Sequence, residues 1–123
     1  MIRVESISSP VEFFKSLGGL HDASVNGISW DMKNKSMEIT VDDINSNFEG
    51  LPEYKGKKPA SIVFIDVGWT KFSVDVFDRD VCRIYDVDVT EVGLDGGFEF
   101  VVKLSPGGKI ELACREINIV DLG

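Results

Sequence analysis

Histidine is nearly absent from this chain: His21 is the only one in 123 residues. Cysteine stops at two and proline at four, and the longest apolar run is Ile62-Val63-Phe64-Ile65. A helix across a bilayer needs about 20 apolar residues, so no membrane span is expected. The opening Met1-Ile2-Arg3-Val4-Glu5 offers no core for a signal peptide, which implies a cytoplasmic protein. Cys82 and Cys114 are too few and too far apart for a zinc site. In a reducing compartment they are expected to be reduced and buried on apolar strands, a cross-strand disulfide being the lesser reading. Basic residues are also scarce, thirteen against twenty-one acidic, for a net charge of -8. Such a surface repels nucleic acid and anionic membranes, whose binding rests on Lys and Arg. It either serves solubility or faces a basic partner whose encounter it accelerates.

Apolar residues are abundant, at 43% with eight Phe and two Trp, enough to fill the core of one β-rich domain over residues 1–123. One helix is announced by Ser9 as N-cap, Pro10 at the first helical position and Glu12 three residues after the cap. Val11, Phe13, Phe14 and Leu17 form its apolar face, and Gly18-Gly19 ends it. About two turns cannot stand alone in water, so this helix must pack on a sheet.

Beyond it the apolar period becomes two. Ala23–Asp31 is a strand whose parity slips at Asn26-Gly27, the signature of a bulge. A polar turn over 31–35 leads to a second strand carrying Met37, Ile39 and Val41. Residues 43–59 are irregular, with Phe48, Leu51 and Tyr54 as candidate anchors; a loop this long is either functional or ordered by its own packing. Ala60–Val67 reads as a central strand. Phe72, Val74 and Val76 alternate with Lys71, Ser73 and Asp75, and Asp78-Arg79-Asp80 turns the chain. Val81–Val92 is a long strand bent near Tyr85-Asp86, Gly93–Gly97 a turn, and Phe98, Phe100, Val102 and Leu104 alternate cleanly. Ser105-Pro106-Gly107-Gly108 connects to Ile110, Leu112 and Cys114, with one further parity shift before Ile117 and Ile119. About eight strands and one short helix predict a mainly β fold, an antiparallel sandwich or a strongly bent sheet.

None of the polar constellations forms a catalytic signature. A histidine base needs a nucleophile in reach and an orienting carboxylate, but Asp22 adjoins His21 along the chain, where side chains diverge; His21 is expected to be structural. Asp43, Asn45 and Asn47 imitate the start of a calcium loop, yet Phe48 stands where glycine belongs and Tyr54 where the bidentate Glu belongs. No metal or cofactor is expected. Asp86, Asp88 and Thr90 alternate with Val87 and Val89 as the wet face of a strand. The glycine-rich segments precede no helix and are turns, not phosphate cradles. Trp30 and Trp69 are either binding platforms or core, and the phase of Trp30 with Ile28 favours burial.

Leu20-His21-Asp22-Ala23, then Ile28-Ser29-Trp30-Asp31, and Asp42-Asp43 leading to Asn47-Phe48-Glu49-Gly50-Leu51-Pro52-Glu53-Tyr54, resemble an opening shared by small uncharacterised bacterial proteins. More distantly they resemble predicted immunity proteins of toxin systems. The detailed likeness spans roughly residues 20–67 and supplies no catalytic residues; it implies a bacterial cytosolic origin. The expected function is non-enzymatic protein binding, as of an immunity protein masking a basic toxin. Asp42, Asp43, Asn47, Glu49 and Glu53 would form the acidic and polar rim, with Tyr54 the aromatic anchor. The alternatives are a small enzyme or ligand binder with a pocket between the 43–59 loop and the His21-Asp22 corner, and a homodimer formed through a sheet edge or exposed aromatics.

Overall fold

The computed structural model describes residues 3–75, 82–93 and 97–123. The expectations for Asp78-Arg79-Asp80, Val76, Val81 and the centre of the 93–97 turn lie outside the described residues. Among those described, nine strands form two antiparallel sheets: β1 (Arg3–Ser6), β2 (Val25–Asp31), β3 (Ser36–Val41), β4 (Ala60–Ile65), β5 (Trp69–Val74), β6 (Arg83–Val92), β7 (Gly97–Ser105), β8 (Gly108–Cys114) and β9 (Glu116–Asp121). The first sheet runs β1-β9-β4-β3-β2 and the second β5-β8-β7-β6. The expected sandwich is what forms, open rather than closed into a barrel.

The sheets share a ribbon. β4 pairs with β9 in the first sheet, ending at Ile65↔Glu116, and β5 pairs with β8 in the second, starting at Trp69↔Ala113. Across the corner the Arg115 amide donates to the Ile65 carbonyl at 3.0 Å and the Gly68 amide to the Ala113 carbonyl at 2.9 Å. The parity shift expected before Ile117 is this passage from one sheet to the other. At another corner Ser24 bridges to Arg83, tying the start of β2 to the start of β6.

Both expected irregularities are present as register shifts, between Val25 and Gly27 in β2 and between Ile84 and Asp86 in β6. Nothing lies within 4 Å of where a Gly27 side chain would begin, so the first bulge does not require its glycine. Asp31 holds the following turn by accepting from the Asn34 amide and side chain, bonds that lower its pKa. β1 was not foreseen: Arg-Val-Glu-Ser has no apolar alternation, and only pairing with β9 makes it a strand.

The helix α1 covers Pro10–Ser16, with proline at its start as expected. Ser9 departs from the capping reading. Its side chain makes no cap bond, and its carbonyl instead accepts from the Phe13 amide at 2.9 Å. After Leu17 the chain tightens into a 3-10 turn, Gly18–Leu20. Phe14 anchors the helix. Its ring meets Phe100 of β7 edge to face at 5.8 Å, and Phe100 meets Phe64 of β4 at 5.1 Å, so helix and both sheets interlock through three fully buried rings. Cys82 and Cys114 are buried free thiols, as expected. Burial raises the pKa of Cys82 and pushes that of Cys114 up to about 12.

Candidate functional site

The 43–59 loop is ordered from inside by a carboxylate. Asp43 is 4% exposed. Its Oδ1 accepts from the amides of Asn45 at 2.9 Å and Lys58 at 3.0 Å, and its Oδ2 from the Tyr54 hydroxyl at 2.6 Å. The Ile44 amide donates to the Lys58 carbonyl and the Asn45 side chain to the Gly56 carbonyl, closing the base of the loop. Each buried polar group thus meets a partner, which is what permits burial of a charge here. The hydrogen bond to Asp43, followed by burial, pushes the Tyr54 pKa up to about 12.

The six residues expected to face a partner therefore divide. Asp43 and Tyr54 spend their polar atoms on the loop. Asp42 accepts from the Ser24 amide at 2.8 Å and ties the loop to β2. Asn47 packs against Gly18, where a Cβ would collide with its side chain. Glu49 and Glu53 are the two that stand exposed to solvent.

His21 lies beside this loop and is joined to it through its backbone. Its Nδ1–H donates to the Tyr85 carbonyl at 2.9 Å, its ring meets Tyr85 edge to face, and its Nε2 is 3.6 Å from Asp22. The Ser46 hydroxyl binds the His21 carbonyl at 2.7 Å. These contacts fix the His21 ring against β6 and its backbone against the loop. A cleft of about 450 Å³ beside the loop is lined from α1, the loop and the C-terminal residues, without His21. A cleft of about 360 Å³ between α1 and β6 includes Asp86 and Asp88. Asp86 accepts from the Val87 amide and Asp88 pairs with Lys103 at 3.0 Å, raising the lysine's pKa. Among the described residues, no three His, Cys, Asp or Glu side chains gather as a metal site. No described helix is long and apolar enough to cross a membrane.

The expectation of burial for Trp30 is corrected. Trp30 does point inward, in one cross-strand row with Met37, Phe64 and Ile117, all buried. Phe72 likewise shares its row with Ile110, Val102 and Val87. Both lie on the outermost strands of their sheets, β2 and β5, with no further strand paired to them among the described residues. They meet edge to face at 6.5 Å and remain 43% and 52% exposed. Met32, in the turn after β2, adds another exposed apolar side chain. The core thus opens to solvent at an aromatic pair. Trp69 is on the outer face of β5, with the Lys71 ammonium 5.8 Å above its ring.

No family model matches the chain, and no curated protein shows significant sequence similarity to it.

Proposed function

We propose that this chain is a non-enzymatic binding domain that docks on a basic protein, in the manner of an immunity protein covering a toxin. The Trp30–Phe72 pair carries the reading. Two large rings that belong by phase to the interior are left uncovered at the rim of a rigid sandwich, and partly exposed aromatic anchors dominate the energetics of protein interfaces. The charge of -8 selects the partner: it attracts a basic surface and speeds encounter with it, while repelling acidic competitors. Glu49 and Glu53, exposed on the loop, belong to that steering field.

The test is protection of cells from a toxin encoded beside this chain. Co-expression of the wild type is expected to restore growth, and the Trp30→Ala, Phe72→Ala double variant to lose protection while staying folded. The association rate of the purified pair should fall as salt rises. Absence of such a toxin gene, failure of the wild type to protect, or a salt-insensitive rate would each overturn the reading. A dimer seen by light scattering and abolished by the same double variant would reassign the aromatic pair to self-association.

A further inference from the structure

The loop that holds Asp43 inward turns lysines outward. Lys55, Lys57 and Lys58 border the cleft of about 450 Å³, and Phe13, Leu17 and Ile44 line it with apolar surface. Three cations within four residues stand out in a chain of net charge -8. The ion pairs among the described residues are His21–Asp22, Lys103–Asp88 and Lys109–Glu111, and none involves these lysines. Asp121 also borders the cleft, with its Oδ1 accepting from the Gly123 amide at 3.0 Å. Among the side chains that line the cleft, three lysines stand against one carboxylate.

The segment is also held in place. The Lys58 amide donates to Asp43, the Lys58 carbonyl accepts from Ile44, and the Gly56 carbonyl accepts from the Asn45 side chain. The ammonium groups therefore project from a fixed backbone, which lowers the ordering cost of collecting them around one ligand. A cleft of this size suits a small molecule, and an apolar wall beside a few charged groups is the usual composition of such sites.

We propose that this cleft binds a small amphiphilic anion, with an alkyl or aromatic body against Phe13, Leu17 and Ile44 and a phosphate or carboxylate head among Lys55, Lys57 and Lys58. A phosphate dianion gains more from three ammonium groups than a carboxylate monoanion does, so the phosphate should bind tighter. The site is separate from the Trp30–Phe72 pair, and its occupancy does not depend on a protein partner.

The full chain would be titrated with hexyl phosphate, hexanoate, hexanol and inorganic phosphate, followed by amide and methyl NMR shifts. Hexyl phosphate is expected to saturate shifts at residues 13, 17, 44 and 55–58, with hexanoate weaker and hexanol at least tenfold weaker than hexyl phosphate. The Lys55→Gln, Lys57→Gln, Lys58→Gln triple variant should keep the wild-type Tm and lose at least tenfold in affinity for hexyl phosphate. Glu49→Gln, Glu53→Gln should not weaken it. Hexanol binding as well as hexyl phosphate would overturn the anion claim. Inorganic phosphate binding as well as hexyl phosphate would overturn the claim of an apolar body. Absence of shifts at these residues with millimolar hexyl phosphate would overturn both.

Discussion

The Tyr54 hydroxyl donates to Asp43 Oδ2 at 2.6 Å across eleven residues of loop, closing it onto a carboxylate that also receives two backbone amides. Asp43→Ala should destabilise the domain by about 3 kcal/mol or more, because three donors lose a charged acceptor and two of them are main-chain groups at a buried site. Asp43→Asn keeps one oxygen for the amides and should cost less. Urea unfolding of the two variants, compared at equal m-value, checks the order.

Tyr54 also gives the fold a basic limit. Its folded pKa is raised from 10.0 to about 12, so the folded state favours the protonated phenol. That contribution is complete below pH 10 and drains away as pH climbs towards 12. Tyr54→Phe should therefore lose stability at neutral pH and show a flatter stability profile between pH 10 and 12. Spectrophotometric titration should find a tyrosine step ionising late in the wild type, and that late step missing in the variant.

Glycine at position 19 is required where glycine at 27 is not. Gly19 has φ +66, and a Cβ there would collide with Asp86 Oδ1 and press on the Val87 amide. Gly19→Ala should cost more than about 1 kcal/mol, since strain adds to the clash, whereas Gly27→Ala should be neutral or slightly stabilising. Thermal melts of the two variants provide the comparison.

Phe14→Ala should cost about 3–5 kcal/mol, the range for emptying a buried aromatic site. A seven-residue helix has little stability of its own, so amide exchange over residues 10–20 should accelerate more than in the sheets.

Neither thiol should react in the native protein. Cys114 is pushed up to about 12 and Cys82 is raised, both chiefly by burial, so almost no thiolate exists at pH 8. A chromogenic disulfide reagent should find no reactive thiol before denaturant is added and two afterwards. Rapid labelling of native protein would contradict the burial of both.

Periodicity revealed much of this architecture because alternation reports directly on which face of a strand is dry. The hairpin over 25–41, both bulges and the sequence Phe98 to Leu104 followed from that rule. It could not reveal which strands would become edges, a tertiary matter. Trp30 and Phe72 were therefore legible in direction and illegible in exposure. Arg3–Ser6 had no period to read, since its strand exists only through its neighbour's hydrogen bonds. The loop shows the same division. Its length and irregularity were visible, but inversion of the Asp43 carboxylate was not. That depends on donors from Asn45, Tyr54 and Lys58 meeting at one point.

The ribbon that bends from β4–β9 into β5–β8 means that neither layer owns its strands outright. Peeling the layers apart would have to unbend the ribbon and break its hydrogen bonds at Ile65–Trp69 and at Arg115, so a half-domain has no natural seam along which to survive. Unfolding should accordingly proceed in one cooperative step, and fragments cut at either corner should recover a native state only by reassociating.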